Sequence, residues 1–184
     1  MTISQSCIFI DRDGVINEDH NYVHRWEDFH FIDGVVDALV RLKAAGYYIV
    51  VVTNQSGIGR GFFTDNDFHI LSEKMLRWLQ QRSVQVDAIY HCPHLPQDNC
   101  ACRKPAPGMI LQAAREHNLD LSSSYIIGDK LSDIEAGQRA NVGQQILVGP
   151  SAGRDHRGNR RHLEALNLHQ AANIILSGVA EHRG

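Results

Sequence analysis

No uninterrupted apolar stretch in the 184 residues approaches the length of a bilayer span, so the sequence offers no membrane helix. Cationic excess is missing too: 18 Lys and Arg stand against 21 Asp and Glu, for a formal net charge of −3. That balance argues against nucleic acid as a partner. The amino terminus, Met1-Thr2-Ile3-Ser4-Gln5-Ser6, has neither the charged nor the apolar region of a secretory signal, and the expected location is the cytoplasm. Repeats, low-complexity tracts and any Gly-rich nucleotide loop are absent. What is present is ordinary for a globular chain, 43% hydrophobic and 21% charged residues, at a length that suits one domain with a real core. We expect a single domain over 1–184.

Apolar runs at 7–10, 47–52, 86–90, 124–127, 145–148 and 173–176 read as strands, separated by longer amphipathic segments. This alternation predicts an α/β protein: a Rossmann-like three-layer α/β/α fold with a mainly parallel sheet. One helix starts near Asp33, carries Val36, Leu39, Val40 and Leu42 toward the core, and stops at Gly46. A second begins after Thr64 and buries Phe68, Leu71, Met75, Trp78 and Leu79. The polar stretch 151–161 reads as an exposed loop before a last strand and helix.

A parallel sheet brings the carboxyl ends of its strands to one edge, where open α/β sheets do chemistry. Asp11-Arg12-Asp13-Gly14 follows Cys7-Ile8-Phe9-Ile10 and delivers two carboxylates there. The run ending at Val52 is followed by Thr53-Asn54-Gln55-Ser56-Gly57, whose hydroxyl, amides and backbone N–H groups suit phosphate oxygens. Arg103-Lys104-Pro105 adds two cations before a helix that Pro107 can open, and Tyr125-Ile126-Ile127 leads into Gly128-Asp129-Lys130-Leu131-Ser132-Asp133.

Cys92-Pro93-His94 and Cys100-Ala101-Cys102 lie between these segments. Three thiolates and an imidazole make a closed tetrahedral set, so Cys92, His94, Cys100 and Cys102 are expected to hold a structural Zn2+ in a loop over 92–102. Free cysteines in a reducing compartment are the other reading. A Cys100–Cys102 disulfide is disfavoured, because one intervening residue strains the bridge. Cys7 is read as a small buried hydrophobe.

The ordered set Asp11-x-Asp13, Thr53, Lys104 and Gly128-Asp129-x-x-x-Asp133 resembles the haloacid dehalogenase superfamily of phosphohydrolases. The resemblance implies Asp11 as nucleophile, Asp13 as general acid and then base, and Thr53 and Lys104 as stabilisers of the phosphoryl oxygens. Mg2+ would lie between Asp11, Asp129 and the backbone carbonyl of Asp13. Asp133 supports that metal indirectly, holds Lys130, or ligates it. Only about forty residues separate Asp13 from Thr53, which leaves no room for a separate cap domain.

Within the superfamily, Asp-Arg-Asp-Gly-Val-Ile-Asn, Thr-Asn-Gln-Ser-Gly, the Cys/His loop and Cys102-Arg103-Lys104-Pro105 look like the D-glycero-D-manno-heptose-1,7-bisphosphate 7-phosphatase family. That likeness implies a small sugar bisphosphate substrate and contacts from Asp19, His20, Asn21, Tyr22, Thr53, Asn54, Gln55, Ser56, Arg103, Lys104 and Lys130, with Arg103 on the phosphate that is retained. It also implies a step toward nucleotide-activated heptose and a surface polysaccharide. Related histidinol-phosphate phosphatases share the motifs and a similar loop; a non-catalytic zinc-stabilised module and a nucleic-acid 3′-phosphatase are the more distant readings. His20 and His24 either border substrate or fasten their own loop, and Arg60 either reaches a second phosphate or is an exposed loop residue. The chain is expected to be a monomer.

Overall fold

A computed structural model describes residues 4–149 and 162–181. Its centre is a six-stranded sheet made of β1 (Gln5–Ile10), β2 (Tyr48–Asn54), β3 (Ala88–Cys92), β4 (Leu119–Gly128), β5 (Gln144–Val148) and β6 (Leu163–Ala165). The spatial order is β3-β2-β1-β4-β5-β6, and every pairing is parallel. Chain order reverses between β1 and β4, which opens a crevice at their carboxyl ends.

Six α-helices occur among the described residues, α1 (Val35–Ala44), α2 (Ser56–Gly59), α3 (Asp65–Gln80), α4 (Gly108–His117), α5 (Leu131–Arg139) and α6 (Leu168–Glu181), and all but the one-turn α2 pack on the two faces. Alternation along β1 divides the core in two. Ile8 and Ile10 join Leu39, Leu42, Leu71, Met75, Leu168 and Ile175 beneath α1, α3 and α6. Cys7 and Phe9 join Met109, Ile110, Ala113 and Ala136 beneath α4 and α5. The three-layer expectation holds.

Helix ends follow the chemistry of their residues. Thr64 caps α3, accepting from the Asp67 backbone N–H, while Asp67 accepts in return from the Thr64 N–H. Gly46 follows α1 with φ +92°, a conformation that costs an L side chain strain. Pro107 sits at the capping position, one residue before α4, and Trp78 is partly exposed, its ring stacked on Phe31 at 4.0 Å.

One strand was misplaced. The run 173–176 lies inside α6, and the last strand is Leu163–Ala165. Leu168, Ala171, Ala172 and Ile175 are buried at helical spacing, and a short apolar run cannot reveal its period until its flanks are included. The expected loop over 151–161 lies outside the described residues.

Candidate active site

Four crossovers deliver their polar residues to the same sheet edge. Asp11 leaves β1 with its backbone N–H donating to the Ile127 carbonyl of neighbouring β4, so the first carboxylate is anchored before its side chain is used. Gly14 follows with φ +84°, and a Cβ there would stand 2.4 Å from Asp129 Oδ2. Only glycine lets the β1 turn approach the β4 carboxylate this closely.

The floor of the site is a buried charge network. Lys104 Nζ lies 3.1 Å from Asp11 Oδ1 and 2.6 Å from Asp133 Oδ1, and it donates to the Val52 carbonyl at 2.7 Å. Two ion pairs and one hydrogen bond hold the ammonium in place. Burial pulls the Lys104 pKa down, but Asp11 and Asp133 outweigh it and hold the lysine charged. Burial pushes the Asp11 carboxyl up; Lys104 opposes that, while Asp133, Asp13 and Asp129 add to it, leaving it at about 7. Asp129 is raised to about 6, again mainly by burial.

The crowding of acids suits a hard cation. Asp11, Asp129 and Asp133 each bring a carboxylate oxygen within 4.8 Å of the others, and Asp129 Oδ1 is buried without a hydrogen-bond donor. Oxygen donors in a partly hydrated crevice are what Mg2+ takes. Of the open roles for Asp133, the side chain holds both lysines: its Oδ2 accepts from the Lys130 backbone N–H at 3.0 Å, opposite the Lys104 pair.

Asn54 brackets Lys104 from the next strand, accepting from its N–H and donating to its carbonyl, both at 3.1 Å. Gln55 Nε2 reaches two groups, Asp13 Oδ2 at 2.8 Å and Thr53 Oγ1 at 2.9 Å. Thr53 therefore accepts from Gln55 and keeps its own O–H to donate.

Above this floor opens a cavity of about 460 Å3 lined by Asp11, Asp13, Thr53, Lys104 and Asp133, with Asp19, Asn21, Tyr22, Asn54, Gln55, Ser56, Arg103 and Lys130 around it. Lys130 Nζ spans its mouth to Asp19 Oδ2 at 3.2 Å and stands 3.7 Å from Asp129 Oδ2. His20 is left outside the cavity, paired with Glu18 at 2.9 Å. His24 bonds the Tyr22 carbonyl and stacks on Phe63 at 5.0 Å, which fastens the loop, and Arg60 is exposed away from the cavity.

Beside the crevice, the Cys/His cluster closes as a compact set. Sγ of Cys92 lies 3.1 Å from Sγ of Cys102 and 3.5 Å from Sγ of Cys100, and His94 Nδ1 lies 3.2 Å from Sγ of Cys102. These separations are far longer than a disulfide's ~2 Å and close to the roughly 3.8 Å between thiolates on one tetrahedral zinc. Burial and the hydrogen bond with Cys102 push the Cys92 thiol up. Burial also raises Cys100, but the Arg103 backbone N–H and neighbouring thiols bring it down to about 7. The donor types and spacing fit Zn2+. The loop is tied to the cavity wall: Gln55 N–H donates to the Cys92 carbonyl, Gly59 N–H to Pro93, and Arg103 Nη1 to His94 at 3.2 Å. A separate cluster, Asp65 with His69 and His91, is closed by its own hydrogen bonds at 3.0 and 2.7 Å.

Sequence reasoning left Arg12 and Asn17 without a role. Both are buried and both bond Asp13. A charged residue between two acids at the end of a buried strand signals a pairing need for Arg12; nothing local marks Asn17.

This fold and edge define a hydrolase of the haloacid dehalogenase type, and residues 101–175 match the family model described as HAD-hydrolase-like. The chain is 45% identical over 188 residues to the D-glycero-beta-D-manno-heptose-1,7-bisphosphate 7-phosphatase of Photorhabdus laumondii, covering 98% of this chain and 95% of that one. The enzyme of that name from Escherichia coli is 51% identical over 155 residues, 80% of this chain and 81% of that protein. The crystal structure of the D,D-heptose 1,7-bisphosphate phosphatase from B. bronchiseptica, complexed with magnesium and phosphate, superposes with a TM-score of 0.87 at 35% identity, over 94% of this chain and 99% of that one. The chain belongs to the heptose-1,7-bisphosphate 7-phosphatase family.

Proposed function

We propose that the chain, acting over 1–184 as one catalytic unit, removes the 7-phosphate of D-glycero-D-manno-heptose 1,7-bisphosphate and releases heptose 1-phosphate. The observation that carries the reading is the buried Lys104–Asp11 pair at 3.1 Å on the floor of a cavity whose walls carry further cations, Arg103 and Lys130. One phosphate fits the floor, and the wall cations suit a second anionic group.

Mg2+ would be held by Asp11, Asp129 and the Asp13 backbone carbonyl, and when bound it offsets the repulsion between Asp11 and a phosphate dianion. Asp11 attacks phosphorus as the ester oxygen leaves, and an aspartyl-phosphate forms on its side chain. Asp13 gives its proton to the departing alkoxide, then takes one from the water that cleaves the intermediate. Lys104 and the Thr53 hydroxyl bind the phosphoryl oxygens, and Asn54 keeps the lysine in place through its backbone. Arg103 addresses the retained phosphate from a position set by the His94 carbonyl. Ser56, Asn21, Tyr22 and the Asp19–Lys130 pair face the sugar.

Zn2+ on Cys92, His94, Cys100 and Cys102 leaves no open position, so its role is to fix the loop. A reducing cytoplasm keeps those thiols available, and the chain acts there as a monomer. No helix among the described residues is long and apolar enough to cross a membrane. The product would feed synthesis of nucleotide-activated heptose for a surface polysaccharide.

Specificity constants for the heptose bisphosphate and for histidinol phosphate test the substrate. The bisphosphate is expected to be preferred at least tenfold, because a cationic aromatic alcohol gains nothing from Arg103 and Lys130. A higher value for histidinol phosphate would overturn the choice.

A further inference from the structure

We propose that Arg12 is a positioning residue for Asp13, a buried clamp that sets the direction in which the Asp13 carboxyl moves its proton; the inference rests on the phosphatase reading above. The Arg12 side chain lies inside the protein at 1% exposure. Its Nε and Nη2 donate to Asp13 Oδ1 at 3.2 and 2.9 Å, and Nη2 also meets Oδ2 at 3.0 Å. The guanidinium stands 5.9 Å from the Phe29 ring centroid and 5.7 Å from that of Phe68. Nη2 further donates to the Val23 carbonyl at 2.7 Å, in the loop that brings Asn21 and Tyr22 to the cavity.

Stability alone is a poor reason for this arrangement. Burying a guanidinium is costly even when it is paired, and apolar side chains of similar volume often serve as well or better. Here the cost is increased, because Nη1 is buried without an acceptor. The clamp does supply geometry. Asn17 Nδ2 adds a contact to Asp13 Oδ1 at 3.0 Å, so Arg12 and Asn17 fix that oxygen from the protein side. Oδ2 faces the cavity residue Gln55, which it shares with Thr53. A two-point grip on one carboxylate, by a group that is itself held between two rings, leaves little freedom to Asp13. The oxygen turned toward Gln55 is the one that can meet the leaving oxygen as the P–O bond to the sugar breaks and the bond from Asp11 to phosphorus forms.

The clamp therefore matters where the leaving oxygen needs a proton and not where it departs as a stable anion. With the full chain and Mg2+, kcat/KM would be measured for wild type, Arg12→Met, Arg12→Lys and Asp13→Asn on a sugar phosphate and on p-nitrophenyl phosphate. Loss of the clamp should lower kcat/KM about 10²-fold on the sugar phosphate. It should change kcat/KM by less than about threefold on the aryl ester, where nitrophenolate needs no proton, while a nitrophenolate burst precedes slower turnover. Arg12→Lys, which keeps the charge but only one contact point, should fall between wild type and Arg12→Met. Equal losses on both esters, or wild-type kcat/KM in Arg12→Met on the sugar phosphate, would overturn the clamp. If circular dichroism shows Arg12→Met unfolded, the same split in Arg12→Lys decides. A wild type inactive on every ester defeats the phosphatase reading instead, whereas an active wild type with an indifferent Arg12 variant defeats only the clamp.

Discussion

The acids around Asp11 come from turns after β1 and β4, and their lysine comes from the segment before α4; the four ligands of the Cys/His cluster come from one stretch, 92–102. The acid cluster is assembled by the sheet. Asp11 is held by its backbone bond to Ile127, and Lys104 by Asn54 and the Val52 carbonyl, so its shape is set by the sheet and its neighbouring segments. The sulfur cluster starts from Cys92 at the end of β3 and otherwise has only a short turn at Pro96–Asp98, so its shape is expected to depend on the Zn2+ proposed for it. The difference separates two tasks. In the proposed reaction the fold-built cluster would break the phosphate ester, and the loop-built cluster would aim Arg103 and so bear on which ester is taken.

The largest expected effect breaks the first cluster without touching the second. Asp11→Asn keeps the shape of the crevice but replaces a nucleophile by an amide, so turnover should fall by more than about 10³-fold while bound zinc is unchanged. Phosphate release and metal analysis on the same sample check this; near-normal release would end the role of Asp11.

Zinc removal by a thiol-reactive reagent and chelator should act in the opposite sense. Loss of the ion loosens the loop that holds Arg103, so KM for the bisphosphate should rise roughly tenfold with a smaller change in kcat. A zinc-free protein with wild-type KM would uncouple the loop from the pocket, and purified protein without stoichiometric zinc would remove the metal from the account.

Asn54→Ala tests a bond that crosses between the regions. The Lys104 backbone loses a donor and an acceptor, and kcat/KM should fall about tenfold with zinc retained. Thr64→Ala lies outside both regions. It should cost about 1 kcal/mol in urea unfolding through the lost cap of α3 and leave kcat within about twofold. A large activity loss there would mean that the two clusters are less separate than their construction implies.

The sequence made the acid cluster legible because each residue follows an apolar run, and a parallel sheet places those ends together. Cys92-Pro93-His94 and Cys100-Ala101-Cys102 were readable for a simpler reason, since all four ligands are local. The misplaced strand at 173–176 lacked enough length to separate a strand from a helix turn. The Asn54–Lys104 bracket joins residues 50 positions apart, a register that only folding creates. His20 was carried into the cavity with its neighbours, but its side chain turns to Glu18, and adjacency along a loop does not fix direction. Arg12 carries no role in the sequence, and only its burial beside Phe29 and Phe68 shows how firmly it is held.

In the proposed function, the buried acid and lysine floor removes one specific phosphate from a substrate held by the other. Phosphorus NMR of heptose 1,7-bisphosphate during turnover by the wild-type chain with Mg2+ reads this directly. The 7-phosphate signal is expected to disappear in step with the growth of inorganic phosphate while the 1-phosphate signal persists; loss of the 1-phosphate first, or no loss of either, would overturn the proposed function.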